Sequence, residues 1–378
     1  MQLVVNPYQG YKIHLLILLQ FSYKQYYAQG FLNMIRIGMS KFQTKFAIIT
    51  ITIAGVMMSP SYAKPDLTKT VDMSLLHAKD TGYRFVYHTF IKPAPELPSS
   101  SVTDSQLKTL KAYAKPRHYQ VWLAIPEQTT DHQLSNNSVK TPSKLLYILD
   151  GNAAIDDLDT ETLRALSKST PKKSAPALVF IGYQTPYRFD VDARAYDYTP
   201  PLLANTIDNS AFTEEGKERL NGGAEHFYGL IEKEIKPWVY EQLGEKPKQE
   251  AIWGHSYGGL FVLYNLFKHP EAYQQYFSAD PSLWWQDGEM INYWQAYQNL
   301  PKAQLADISN NKHKQIRLTF SHSAEQTTIP VVVPTLMSKK EFAKEICDHF
   351  EKSCSYQFYN QSHGEVFTTS LLESLKRF

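Results

Sequence analysis

Ser256 lies in the run Trp253-Gly254-His255-Ser256-Tyr257-Gly258-Gly259, where a Gly-x-Ser-x-Gly spacing falls between two apolar segments. Ala251 to Trp253 read as the end of a buried strand, and Leu260 to Phe267 as the start of a helix. A serine on so sharp a strand-to-helix turn must adopt strained backbone angles, which small neighbours such as Gly254 and Gly258 permit. The turn exposes the hydroxyl and aims the first helical amides at an oxyanion forming beside it. In a loop the same spacing means only a glycine-rich turn. With an apolar strand before it and an apolar helix after it, it reads as a nucleophile elbow.

Acyl transfer through serine needs a base for the hydroxyl proton, a group that orients the base, and amides for the tetrahedral oxyanion. In α/β-hydrolase chains the order is Ser, then Asp or Glu, then His. His363, in Asn360 to Phe367, follows the last expected strand and precedes the C-terminal helix, so it is the expected base. His255 adjoins the serine, but a neighbour on a tight elbow points elsewhere; His322 and His349 are weaker candidates. Glu325, just beyond the apolar run Ile316 to Phe320, is the expected acid, with Glu365 and Asp348 behind it. It could equally be a solvated loop residue. Asp280 follows the strand after the elbow and is read as shaping a loop. The oxyanion hole is expected to combine the Tyr257 amide with that of Asn152 or a neighbour. There Gly151 permits close backbone approach and Asp150 sets the turn.

These side chains need a scaffold, and the pattern of apolar runs supplies one. Tyr83 to Ile91 and Tyr119 to Ile125 alternate like an early antiparallel pair. Leu145 to Leu149 and Ala177 to Ile181 are continuous apolar runs, as parallel strands buried on both faces require. Tyr276 to Ala279, Ile316 to Phe320 and Tyr356 to Tyr359 complete the strands, with Leu158 to Ser167, Ala224 to Gln242, Ser338 to Phe350 and Thr368 to Phe378 as helices between and after them. The alternation predicts an α/β fold of the α/β-hydrolase kind, with a mostly parallel central sheet and helices on both faces. Residues 187–220 and 284–311 break the rhythm and are expected as lid-like loops above the strand ends.

The formal charge of +2 on 378 residues conceals an asymmetry. Residues 1–63 carry five basic side chains and no acidic one; without them 34 basic residues face 37 acidic ones. No basic tract for nucleic acid remains. Met39 to Lys45 is a short positive segment, Phe46 to Met58 an apolar run, and Ser59 to Ala63 a small-residue end. That order predicts a signal peptide over 39–63, cleaved near Ala63, and a periplasmic or secreted protein. The apolar run is too short for a stable membrane anchor. Residues 1–38 read as an upstream extension outside the fold, and 64–378 as a single domain. Cys347 and Cys354 suit no common zinc motif; export favours a short-loop disulfide, a reduced pair being the other reading. No metal or cofactor is expected, and the oligomeric state stays open.

Several motifs occur together: YILDGNAA over 147–154, Ile181-Gly182-Tyr183, RAYDYTP over 194–200, GGAEHFYGLIEKEIKPWV over 222–239, GHSYGG, PSLWW over 281–285 and HGEVF over 363–367. From about Tyr119 onward the chain resembles the esterase-D-type branch of α/β hydrolases, especially the periplasmic and bacillary siderophore esterases. The resemblance implies Ser256 as nucleophile and His363 as base, acting on ester bonds of tri-catecholate trilactones such as enterobactin and its glucosylated relatives. Some members are described as working with a Ser–His dyad, and relatives often carry serine where this chain has Asp280. For such a ligand the aromatic Tyr187, Tyr198, Trp284 and Trp285 and the cationic Arg188 and Arg194 are expected contacts. Other readings are a general acyl, feruloyl or thioester esterase, an acyltransferase, or a non-catalytic siderophore-binding protein. Mass spectrometry of the exported protein is expected to find an N-terminus at Lys64; an intact Met1 would overturn the export reading.

Overall fold

The computed structural model describes residues 68–95, 107–108, 111–112, 114–127, 142–168, 174–201, 211–214, 217–301, 314–322, 328–329 and 337–378. Residues 65–378 form one unit; residues 1–64 form another, and the expected leader lies there, outside the described residues. One sheet organises the larger unit. Its strands are β1 (Tyr83–Lys92), β2 (Arg117–Pro126), β3 (Lys144–Leu149), β4 (Ala177–Tyr183), β5 (Gln249–His255), β6 (Gln275–Ala279), β7 (Gln315–Ser321) and β8 (Cys354–Tyr359). Their spatial order is β1-β2-β4-β3-β5-β6-β7-β8. β2 runs antiparallel to β1 and β4, and the remaining pairs are parallel.

The continuous apolar runs follow from burial on both faces. In β3, Leu145, Tyr147 and Leu149 enter one core while Leu146 and Ile148 enter the other, the period-two alternation of a strand. Helices α1 (Gly151–Asp157) and α2 (Thr160–Ser167) cover the second face, with the C-terminal helix. Helices α3 (Val191–Asp197), α4 (Ala224–Leu230), α5 (Lys236–Leu243), α6 (Tyr257–Lys268), α7 (Glu289–Gln298) and α8 (Lys339–Phe350) cover the first. The C-terminal helix is α9 (His363–Arg377).

The helix expected over 224–242 is one rod interrupted by a π-helical turn, Ile231–Ile235, before α5. Pro237 has no amide for the ladder, and the wider turn absorbs the mismatch. The expected irregular wall at 284–311 is corrected. A tight turn, Trp285–Gly288, leads into α7, which buries Met290, Ile291, Tyr293, Trp294 and Tyr297. Their helical spacing packs them on α6, where Trp294 and Tyr297 meet Phe267 at ring distances of 5.3 and 5.8 Å. Residues 302–313 lie outside the described residues. In the other expected loop, 187–220, α3 and the hairpin Ala211–Glu214/Lys217–Leu220 supply regular structure.

Cys347 and Cys354 form a disulfide that ties the end of α8 to the start of β8, with Cα atoms 4.8 Å apart. No helix among the described residues is long and apolar enough to cross a membrane. Because β3, β5 and β6 are adjacent and parallel, their C-terminal ends open onto the same edge, about 10 Å across. That edge holds the candidate site.

Candidate active site

Ser256 stands between β5 and α6 at φ 60° and ψ −116°, a conformation that costs a non-glycine residue about 1–3 kcal/mol. Three backbone hydrogen bonds hold it. Its N–H donates to Ala279 O at 2.9 Å, and its carbonyl accepts from the amides of Leu260 and Ser282 at 3.1 and 3.2 Å. Gly254 is indispensable, because a Cβ there would stand 2.4 Å from the Gly258 carbonyl oxygen. Gly258 is under less constraint than its place in the motif suggests: a Cβ would meet Leu149 at an ordinary 3.5 Å. The tighter second position is Gly259, pressed onto Ala279 O at 2.9 Å. The Ser256 hydroxyl lies 3.0 Å from that of Ser282.

His363 is the first residue of α9, behind an N-cap that positions it. Ser362 accepts from the Glu365 amide while the Glu365 carboxylate accepts from the Ser362 amide, at 3.4 and 2.7 Å. This capping box occupies Glu365, which is therefore not the partner of the imidazole. Asp348 sits exposed on α8, paired with Lys344 one turn away. Glu325 lies outside the described residues. The carboxylate that the structure places on His363 is Asp280, whose Oδ2 is 2.6 Å from Nδ1. Asp280 was expected to shape a loop; that reading is corrected. It follows β6 directly, at φ 36°, and its amide donates to Thr319 O at 2.7 Å.

Asp280 is only 1% exposed, and Lys339 Nζ approaches its other oxygen at 3.4 Å. Burial alone would raise its pKa. The hydrogen bond from His363 and the Lys339 charge outweigh that and hold the carboxyl well below its usual range. An ionised carboxylate only accepts, so the shared proton sits on His363 Nδ1, and Nε2 is left as the basic nitrogen. The His363 side chain is 41% exposed, open enough to meet a ligand.

His255 lies beneath it. Its Nε2 is 2.8 Å from the His363 carbonyl oxygen, and the two rings are 4.4 Å apart. A carbonyl cannot donate, so Nε2 carries the hydrogen. Burial and the neighbouring His363 hold the His255 pKa well below the usual histidine value, so it stays neutral. It clamps the base helix from below.

The loop after β3 carries the same kind of strain, with Asp150 at φ 51°. Asn152 turns its side chain onto β4, accepting from Tyr183 N at 2.9 Å and donating to Tyr183 O at 3.0 Å. Only its backbone amide, with that of Gly151, remains for an oxyanion, in the first turn of α1 where amides lack helical partners. Tyr257 begins α6 directly after the serine.

Four of the expected ligand contacts prove to be supports. Arg194 binds both oxygens of Asp150, at 2.9 and 2.8 Å, and reaches His255 O at 3.4 Å. Its guanidinium lies among the rings of Phe189, Tyr198 and Tyr257. Arg188 pairs with Asp156 and Asp157 at the end of α1. Tyr198 is 0% exposed, packed on Phe227 and Phe261, with its hydroxyl accepting from the Asp150 amide at 3.1 Å. Trp285 is 1% exposed within the core. Trp284 is different: 44% exposed, with its ring 5.9 Å from that of Tyr257.

The ligating atoms of His255, Asp280 and His363 lie within 4.8 Å of one another and could in principle hold a metal ion. Each already has a hydrogen-bond partner, Asp280 and His363 with one another and His255 with a carbonyl, so the cluster is satisfied without one.

A sheet in this order with a serine on the turn between β5 and α6 defines an α/β-hydrolase-type fold. The chain belongs to the Esterase family, whose model matches residues 117–378. It is 40% identical over 168 residues to the apo-salmochelin esterase of Escherichia coli O6:H1 (strain CFT073), covering 44% of this chain and 48% of that one. It is 35% identical over 143 residues to the ferri-bacillibactin esterase BesA of Bacillus subtilis (strain 168), covering 37% and 48%. The chain thus spans about half the length of these curated relatives. Among solved structures, the enterobactin hydrolase IroE in complex with DFP matches with a TM-score of 0.52 at 27% identity, over 80% of this chain and 97% of that one.

The unequal glycines give a direct check. Gly254→Ala is expected to destabilise the fold by about 1–3 kcal/mol, the usual cost of overpacking, while Gly258→Ala shifts it by under about 0.5 kcal/mol. Denaturant unfolding of both variants measures this; equal losses would contradict the elbow geometry.

Proposed function

We propose that the protein is an exported serine esterase that cleaves the ester bonds of a catecholate siderophore of the trilactone type. The observation that carries the reading is the 2.6 Å bond between His363 Nδ1 and buried Asp280, the residue after Ala279, whose carbonyl accepts from the amide of the strained Ser256. The substrate class rests on the likeness to proteins named for salmochelin, bacillibactin and enterobactin. Export rests on the residue order over 39–63, and the Cys347–Cys354 bridge suits an oxidising compartment.

In the proposed reaction, His363 Nε2 takes the Ser256 hydroxyl proton as Oγ bonds to the ester carbon. The amides of Tyr257 and Asn152 or Gly151 hold the oxyanion. The alkoxy oxygen leaves, receiving the proton from Nε2, and an acyl-enzyme remains. Water, deprotonated by the same nitrogen, then attacks the acyl carbon, and the acid is released as Ser256 Oγ takes the proton back from Nε2. Asp280, not Glu325, accepts the Nδ1 hydrogen throughout and stabilises the imidazolium.

Ser256→Ala is expected to lower kcat by about 10⁶-fold without unfolding the protein. Asp280→Asn should cost about 10³–10⁴-fold; a loss under tenfold would favour a dyad. The low pKa of Asp280 also sets a pH dependence. Its stabilisation is complete above its ordinary value of 3.8 and is lost as pH falls towards its depressed folded pKa. The difference in unfolding free energy between the unaltered protein and Asp280→Asn should therefore shrink as pH falls below about 4. A difference that stays unchanged from about pH 5 down to about pH 2 would contradict the assignment. Comparison of kcat/KM for a cyclic tri-catecholate trilactone, its linear trimer and simple aryl esters tests the substrate; equal values would leave only a general esterase.

A further inference from the structure

A cavity of about 640 Å³ opens at the same sheet edge, where β4 ends and β2 begins, and it contains neither Ser256 nor His363. Its lining includes Lys115, Arg117, His118, Tyr183, Tyr187 and Phe189. It shares a wall with the catalytic edge. The Phe189 ring lies 6.0 Å from that of Phe367 on α9 and 5.4 Å under the Arg194 guanidinium. The backbone of Tyr183 is the segment clasped by Asn152. Since β3 separates β4 from β5, the cavity stands about 10 Å along the sheet edge from the serine.

The charges of the lining are unevenly committed. Arg117 faces Asp197 and Arg219 faces Asp192, each at 3.4 Å. The Asp190 carboxylate caps α3 by accepting from Ala193 N at 3.0 Å. Burial pushes the Asp197 carboxyl up to about 6, against the lowering effect of Arg117 and the hydroxyls of Tyr183 and Tyr119. Lys115 is exposed and makes no ion pair among the described residues. The exposed Lys115, in the same lining as the 42% exposed Tyr187 and Phe189, suits a flat ring that carries hydroxyl or anionic oxygens. An aliphatic chain would leave that cation unused.

We propose that this cavity is a second binding site, which takes an oxygen-bearing aromatic ring on an arm of the substrate other than the one cleaved. The assignment rests on the esterase reading and deepens it: a multi-armed ester spans the edge, one carbonyl at Ser256 and a ring of another arm in the cavity. Anchoring one arm there restricts how the reacting arm can move.

The test uses 2,3-dihydroxybenzoate as the probe, titrated calorimetrically into the full chain before and after Ser256 is capped with a fluorophosphonate. Binding should survive capping within about twofold. Lys115→Glu and Gln184→Trp, both at exposed lining positions, should each weaken it about tenfold, roughly 1.4 kcal/mol. With a tri-catecholate triester as substrate, the same variants should raise KM about tenfold and leave kcat unchanged. Loss of ring binding on capping, or both variants within twofold of the unaltered protein, would overturn the proposal. Failure of the unaltered protein to react with the fluorophosphonate at Ser256 would instead sink the esterase reading, while probe binding to the cavity would still be measured.

Discussion

A ladder of backbone hydrogen bonds across the C-terminal ends of the strands is the constraint on which the site depends. Ser256 N bonds to Ala279 O, Asp280 N to Thr319 O, and His322 N to Gln361 O, at 2.9, 2.7 and 3.0 Å. Each strand end is thereby latched to the next, from β5 through β6 and β7 to the loop that precedes His363. The strands are laterally spaced by about 4.8 Å, so groups far apart in sequence arrive within reach of one another. The strain at Ser256, Asp150 and Asp280, all at positive φ, persists because these latches and the packed core over-determine it.

Around that edge, buried charges serve as struts. Arg194 joins the loop after β3 to the elbow through Asp150 and the carbonyl of His255. Arg188 joins residues beyond β4 to the end of α1, and Thr368 of α9 bonds to Asp157 at 2.6 Å. The helix that begins at His363 is thus tied to α1. Breaking one such pair would leave a buried charge without its partner, which costs more than the intact pair contributes. In the proposed reaction this leaves the Asp280 carboxylate, the imidazole tautomer and the amides set before a ligand arrives.

Much of this was legible from residue order. Ser256 could be read from its apolar flanks, and the continuous runs in β3 and β4 revealed strands covered on both faces. His363 was legible as a loop histidine before a final helix. The acid was not. Sequence order allowed any carboxylate between Ser256 and His363, and the expectation fell on a residue after β7; the structure instead brings forward the one at the end of β6. A signal existed in Asp280 itself, a carboxylate directly at the end of an apolar strand that neighbours the strand leading to Ser256. Four of the expected aromatic and cationic contacts are committed within the protein for a related reason. Tyr198, Trp285, Arg188 and Arg194 have the side chains of a catecholate pocket, yet the same side chains bury well in a core or in ion pairs.

What the sequence determined by itself was local: the elbow, because its glycine spacing and apolar flanks permit one backbone path, and the alternation of strands and helices, because burial imposes a period. What only the tertiary structure decided was partnership. Which carboxylate meets Nδ1, and which arginines face a ligand rather than an aspartate, depends on strand order and on contacts between residues tens of positions apart. Those distances are set by hydrogen bonds across the sheet, and no spacing along the chain encodes them.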